Sequence, residues 1–332
     1  MDKPSQTARI RFDGCDIACR PGQSVLEALE QAGHRVPSGC RSGACQACLL
    51  HADGSEATTA AQAGLSPAQR LTGLFLSCQC RPAANEQLHV RRPADSPRHV
   101  ARVLGQTWLG ASVYRLRLQC DIDYLPGQYI TLFRDDCTAR SFSIASLPGP
   151  DRQIDLHVRH RRDGAVSNWA ARLKPDSQLW LQGPMGRCVY ASPADQPLLL
   201  LALGTGLGAM TAILHHALSR GHRAPIHLLA ATRRAVDAYG LDLRDQLPKG
   251  HPVTIRHMAL QGQRPGMEQQ DLYDAVRAGY PDLAGWAVHL CGSERMVATL
   301  RRHAFVAGAA MRDIHADIFH SGTAGREIRN NT

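Results

Sequence analysis

The sequence predicts a multidomain chain, α+β in its first part and α/β in its last, with an antiparallel β-barrel between them. Three observations predict it. The segment from Arg92 to Arg98 carries Pro93 and Pro97 and little that could be buried, so it reads as a boundary. From His99 onward, short alternating segments are divided by Gly and Pro, the pattern of a small antiparallel barrel. From Leu198 onward, apolar strands alternate with helical periodicity, the pattern of a doubly wound parallel sheet. With 332 residues and 44% hydrophobic content, two or three domains with real cores are expected. Their bounds are read at 1–92, 98–192 and 196–332.

In the first region Arg9–Phe12 alternates like a strand, Gly14 turns it, and Asp16–Cys19 alternates again, which predicts a hairpin. A short helix should follow Pro21-Gly22-Gln23, with Ser24 as its N-cap and Glu27 three residues on. Then come Cys40, Cys45, Cys48 and, well separated, Cys78: C-x4-C-x2-C plus a distant C. This spacing suits a [2Fe–2S] cluster held by four thiolates. Between the ligands, Arg41-Ser42-Gly43-Ala44 is a loop of mostly small residues whose N–H groups can approach the sulfurs. Zinc is the alternative, although its structural sites usually pair ligands in two short C-x2-4-C units. Disulfides come last. Cys80 rivals Cys78 as fourth ligand, but a buried cysteine is more often a packed apolar residue.

Hairpin, helix, cysteine loop and the segment Leu74–Cys78 together resemble the β-grasp domain of plant-type ferredoxins over about the first 92 residues. Cys40, Cys45, Cys48 and Cys78 are the metal ligands this resemblance implies. One departure stands out: the family usually has Gly after the second ligand, and here Gln46 occupies that place.

In the middle region, strands are read at 99–104, 112–119, 129–133, 141–144 and 154–158. Within them Arg140-Ser141-Phe142-Ser143-Ile144-Ala145-Ser146 resembles the R-x-Y-S-x-x-S flavin motif of the ferredoxin–NADP reductase superfamily. The resemblance implies that Arg140 pairs with the flavin's pyrophosphate, a bidentate task for a guanidinium. Ser141 lies between them. Phe142 packs on the ring, in place of the commoner Tyr, and Ser143 reaches the ring edge near N5. Gly164-Ala165-Val166-Ser167 resembles the second phosphate-contacting turn, with Gly164 and Ser167 as its contacts, and Gly183-Pro184-Met185-Gly186 the turn that closes the domain. An isolated R-S-F-S peptide would be ordinary surface; the order and spacing of all three carry the reading. FAD is the expected flavin, with FMN as its rival.

In the last region, Leu198–Leu203 reads as a buried strand that runs into Gly204-Thr205-Gly206-Leu207-Gly208-Ala209, a G-x-G-x-x-A turn. Such a turn sets a pyrophosphate on a helix N-terminus, and Gly204, Thr205, Gly206 and Gly208 are its candidate contacts. The superfamily commonly has Pro at the Ala209 position. Further strands are read at 226–230, 253–255 and 287–290. Cys291-Gly292-Ser293-Glu294-Arg295-Met296 resembles the C-G-P-P-x-M motif, whose Cys and Gly lie beside the nicotinamide, so Cys291 is expected to position hydride transfer; a plain strand-end cysteine is the alternative. Asp317-Ile318-Phe319 resembles the superfamily's terminal acidic-aromatic element, with Phe319 near the flavin or simply in the core. Arg233 and Arg234 could grip the 2′-phosphate of NADPH, whereas the Arg-x-x-Asp-x-Tyr pattern resembles NADH users; NADH is the expectation.

As a whole the chain resembles the electron-transfer reductases of bacterial oxygenases. That implies a relay in which hydride passes from NADH to the flavin, its atoms held about 3–3.5 Å apart, and single electrons leave through the cluster to an oxygenase component. A non-oxygenase acceptor such as a deoxysugar dehydrase, or a redox-sensing interaction protein, are the alternatives. No Ser–His–Asp or Cys–His constellation is evident. The net charge of +9 is dispersed and aromatics are 5%, which excludes a stacking platform for nucleic acid. The start, Met1–Gln6, has no apolar run of signal-peptide type, no segment is long enough to span a bilayer, and single scattered cysteines fit a reducing compartment. A cytoplasmic enzyme is expected.

Overall fold

The computed structural model describes residues 7–93 and 98–320; Met1–Gln6 and the middle of the predicted linker, Ala94–Pro97, lie outside them. By packing, these residues form two units. One holds the chain up to Arg98 together with Thr131–Ser141 and His320, and the other holds His99–Ile130 and Phe142–Phe319.

The first region builds β1 (Ala8–Phe12), β2 (Cys15–Cys19), α1 (Val25–Gln31), β3 (Leu49–Ala52), α2 (Glu56–Ala60), α3 (Pro67–Leu71), β4 (Leu74–Leu76) and β5 (Gln87–Arg91). Its mixed sheet runs β2-β1-β5-β3-β4, with β1 antiparallel to β2 and parallel to β5. The expected hairpin and capping box are both present. Ser24 Oγ accepts from the Glu27 N–H at 3.3 Å, and the Glu27 carboxylate accepts from the Ser24 N–H at 2.9 Å, an arrangement worth about 1 kcal/mol. Alternation of β1 turns Ile10 and Phe12 inward onto Leu26, Leu29, Leu50, Phe75 and Cys80. Cys80 is fully buried in this core.

The middle region builds β6 (Arg98–Trp108), β7 (Val113–Gln119), β8 (Tyr129–Phe133), β9 (Ala139–Ser143), β10 (Gln153–Arg159), α4 (Ala165–Ala170) and β11 (Gln178–Met185). Its sheet runs β10-β7-β6-β11-β8-β9, antiparallel where β10, β7 and β6 pair. A bridge from Ile144, just past β9, to Leu156 of β10 joins the two edges and closes the sheet into a barrel. Three expectations shift: β6 runs on to Trp108, four residues past its expected end. β9 starts at Ala139, two residues early, and Gly183-Pro184-Met185 is strand through Met185 before the chain turns.

The last region builds β12 (Leu198–Leu203), α5 (Gly206–Ser219), β13 (Ile226–Arg234), β14 (Val253–Gln261), β15 (Glu268–Gln269), α6 (Leu272–Gly279), β16 (Ala287–Ser293), α7 (Glu294–Val306) and β17 (Ile314–Phe319). All neighbours in the order β15-β14-β13-β12-β16-β17 are parallel. The continuous apolar run of β12 is explained by burial on both faces. Leu198, Leu200 and Ala202 pack with Leu207, Met210 and Leu214 of α5, while Leu199 and Leu201 pack with residues of α6 and α7. Ile314–Phe319 is a further strand, left unassigned above although Ile314-His315-Ala316-Asp317-Ile318 alternates apolar and polar residues.

Candidate functional site

Two constellations stand out. In the first unit the four cysteines come together as two pairs, Cys40 with Cys45 and Cys48 with Cys78, each thiol hydrogen-bonding its partner. Backbone groups converge on them. The Ser42 and Cys45 N–H groups donate to Cys40 Sγ at 3.4 and 3.2 Å, and the Cys40 N–H donates to Cys45 Sγ at 3.4 Å. The Gln79 side chain donates to Cys78 Sγ at 3.4 Å and to the Arg41 carbonyl at 3.2 Å. Such donors favour thiolate. Hydrogen bonding by Cys45 pulls the Cys40 thiol down, and hydrogen bonding by Cys48 pulls Cys78 down. Their partners, which keep the shared proton, move up. Arg41, paired with the Glu30 carboxylate at 2.7 and 2.9 Å, ties the loop to α1. Two thiol pairs ringed by N–H donors fit a two-iron cluster better than one tetrahedral ion.

In the second unit the chain winds from β12 outward to β15, then returns to place β16 and β17 on the other side. The switch point therefore lies between β12 and β16, at their carboxyl ends, where open α/β sheets bind ligands. Three side chains meet there. Ser143 donates to Asp317 Oδ2 at 2.5 Å, and Cys291 Sγ donates to the same oxygen at 3.6 Å. Burial first, then the Asp317 charge, pushes the Cys291 thiol far up, so it is a neutral donor and not a nucleophile. Beside it, Gly204 adopts φ +61°, a conformation that favours glycine, and lets β12 turn into α5. A Cβ on Gly206 would sit 2.3 Å from the Cys291 carbonyl oxygen, so only glycine lets the turn lie against β16. Thr205 caps α5 without a side-chain hydrogen bond, and the first turn has no acidic residue. Within this first turn the Leu207 and Gly208 N–H groups already donate to the Gly204 and Thr205 carbonyls at 3.2 and 3.1 Å, and the positive end of the helix faces the switch point, where a phosphate is favoured. Arg159 approaches from β10, its Nη2 3.2 Å from where a Gly204 Cβ would stand.

Two family models match the chain. The 2Fe-2S iron-sulfur cluster binding domain matches residues 10–83, and the oxidoreductase FAD-binding domain matches residues 104–190. Reductase component 2 of terephthalate 1,2-dioxygenase from Comamonas sp. is 31% identical over 96% of this chain and 98% of its own. The ferredoxin–NAD(+) reductase component of the alkene monooxygenase system of Xanthobacter autotrophicus is 32% identical over 86% of this chain and 91% of its own. Among solved structures, the Amycolatopsis cytochrome P450 reductase aligns over 96% of this chain and 100% of its own, with TM-score 0.67 and 26% identity. The chain belongs to the reductase components of bacterial oxygenases. It is an iron–sulfur flavoprotein, an oxidoreductase that binds a [2Fe–2S] cluster and FAD.

Against the resemblance-based expectations, the reductase brings Ser143, Cys291, Gly206 and the Gly204–Gly208 turn into one place. Phe319 lies two residues beyond Asp317 on β17, in register with Ser293, half-buried against the core beneath α5. Gly292 pairs in register with Ile318. Arg140, Ser141 and Phe142 are half-buried along β9. Gly164 and Ser167 form a turn whose hydroxyl is engaged locally: Ser167 Oγ accepts from the Arg161 N–H at 3.3 Å. Arg233 is exposed on β13, whereas Arg234 makes a two-pronged pair with Asp237 at 2.9 and 3.1 Å. The Arg234 hydrogen bond holds the Asp237 carboxyl below its usual range.

Sequence reasoning missed the hub. It set Phe319 forward, although Asp317 is the residue that gathers Ser143 and Cys291. An acidic residue in an otherwise half-apolar terminal strand was the available signal.

Proposed function

We propose that this reductase takes electrons from NADH and delivers them singly, through FAD and the [2Fe–2S] cluster, to an oxygenase component. The observation that carries the reading is the Ser143–Asp317–Cys291 hub beside the glycine turn, in a chain that also carries two thiol pairs. When bound, the nicotinamide, flavin and cluster supply the hydride and single-electron chemistry, and the polypeptide supplies orientation and potentials. Cys40, Cys45, Cys48 and Cys78 hold the cluster. Arg140, Ser141, Phe142, Gly164 and Ser167 hold the flavin. Ser143 and Cys291, gathered by Asp317, would position the reacting rings, with Gly292 and Phe319 as further residues of that site. Gly204, Thr205, Gly206 and Gly208 hold the dinucleotide. Asp237 supports NADH over NADPH: it engages Arg234, and a buried carboxylate nearby opposes a 2′-phosphate. Arg233 then lies at the adenosine end. Residues 1–92, 98–192 and 196–332 serve as ferredoxin, FAD and NAD domains. None of the eleven cysteines is joined to another by a disulfide, which suits the reducing, cytoplasmic setting included in this reading, and among the described residues no helix is long and apolar enough to cross a membrane.

An anaerobic NADH titration followed by visible absorption and low-temperature EPR tests the reading. Flavin bleaching together with a rhombic iron–sulfur signal is expected. Protein that contains iron and flavin yet shows neither change with NADH would overturn it.

A further inference from the structure

Thr131, on β8, is fully buried and its hydroxyl makes two hydrogen bonds. Its oxygen lies 2.8 Å from the carbonyl of the cluster-loop residue Cys45 and 2.9 Å from Ser141 Oγ. A carbonyl only accepts, so the single Thr131 proton goes to Cys45, and Ser141 must donate to Thr131. The result is a directed chain from the flavin-motif strand to a cluster ligand: Ser141 O–H to Thr131 O–H to the Cys45 carbonyl. The surroundings reinforce it. Cys45 and Ala47 pack on Phe133 and Ala139. The Ser38 N–H donates to the Cys137 carbonyl at 3.1 Å, and the Ala139 N–H donates to the Ser38 carbonyl at 3.0 Å. A Cβ on Gly39 would lie 2.6 Å from the Ala139 carbonyl oxygen, so the loop is seated closely on the start of β9.

We propose that Thr131 is a positioning residue for electron transfer: its hydroxyl fixes the Cys45 ligand to the strand that carries Arg140 and Ser141. This rests on the assignment of that strand to the flavin and of Cys45 to the cluster. The hydrogen bond offsets the negative end of the Cys45 carbonyl close to the sulfurs. Removing it leaves that dipole facing a group that becomes more negative on reduction, so the cluster potential falls.

The test compares wild-type holoprotein with Thr131→Val, which keeps shape and removes the hydroxyl, and Thr131→Ser, which restores it. Midpoint potential of the cluster, read by EPR in a dithionite titration, is one measurement; stopped-flow NADH reduction, read separately at flavin and cluster bands, is the other. For T131V a lower potential and cluster reduction slower by about tenfold are expected, the scale of one buried hydrogen bond, with flavin reduction unchanged and T131S restored to the wild-type values. If T131V loses its iron while T131S retains it, the hydroxyl again holds the loop and the proposal stands. Equal potentials and rates in T131V and wild type would overturn it, as would T131S impaired as badly as T131V. Failure of the functional reading looks different: NADH would then reduce neither centre in wild type, while the dithionite potentials would still report on Thr131.

Discussion

The loop that carries Cys40, Cys45 and Cys48 has no regular structure, whereas the turn at Gly204–Gly206 is a strand end running straight into a helix. Both present backbone N–H groups to a negative group. The loop does so with three separate left-handed residues, Arg41 at φ +54°, Gly43 at +85° and Gln46 at +52°, and with side-chain ties to Glu30 and Gln79. The turn relies on geometry that the sheet and α5 already provide. The loop should therefore be sensitive to which atoms its side chains carry, and the turn to how much space they fill.

The largest expected effect breaks the loop at a ligand. Cys48→Ser removes one thiol of the Cys48–Cys78 pair. Iron analysis and EPR should show the cluster lost, while FAD stays bound and NADH-driven ferricyanide reduction stays within about twofold of wild type, since no flavin contact is touched. Ferricyanide reduction that collapses together with the iron would mean the two halves are not separable in this way.

Next comes the space test at the turn. Gly206→Ala sets a methyl group 2.3 Å from the Cys291 carbonyl oxygen, and that oxygen is backbone, so it does not yield cheaply. Overpacking of this kind costs about 1–3 kcal/mol. Because the displaced residue is Cys291, the KM for NADH should rise by about tenfold or more, the kinetic equivalent of about 1.4 kcal/mol. The cluster's EPR signal should be untouched. A wild-type KM in G206A would show that the turn does not seat the dinucleotide.

The difference between the regions also explains what the sequence disclosed. Ligand identity is covalent and local, so the C-x4-C-x2-C spacing could be read directly, as could the glycine turn after the apolar run of β12. Contacts that join distant segments leave no such spacing. Asp317 meets Ser143 across 174 positions, and Thr131 meets Cys45 across 86. Each is one polar residue on an unremarkable strand. Strand ends at Ala139 and Gln261 shifted for a related reason, because pairing with a neighbour carries a strand past the end of its own pattern.

A pH measurement sharpens the comparison on the turn's side. His157 packs against the first turn of α5, 3.1 Å from the Tyr239 hydroxyl, and burial lowers its pKa from 6.5 to about 4; Asp155 opposes this and Arg115 adds to it. Below pH 6.5 the unfolded chain binds a proton that the folded chain refuses until about pH 4. The stability that neutral His157 contributes is complete above pH 6.5 and is lost as pH falls, by about 2 kcal/mol at pH 5. Urea unfolding followed by flavin fluorescence at pH 7 and pH 5 should show this loss, and His157→Gln should reduce it. A slope unchanged in H157Q would assign the acid sensitivity elsewhere.

The smallest effect concerns Gln46, where glycine would remove a conformational penalty of about 1 kcal/mol. Gln46 offsets that penalty with its side chain, which donates to the Gly64 carbonyl at 3.2 Å and accepts from Gln69 at 3.1 Å. Gln46→Gly relieves the backbone but loses both hydrogen bonds and frees the unfolded chain, so its net change in stability should stay within about 1 kcal/mol. Gln46→Ala keeps the strained φ and loses the bonds, so it should destabilise by about 1–2 kcal/mol. Thermal melts of the three holoproteins order them directly. If Q46A proves as stable as Q46G, backbone conformation does not govern this position.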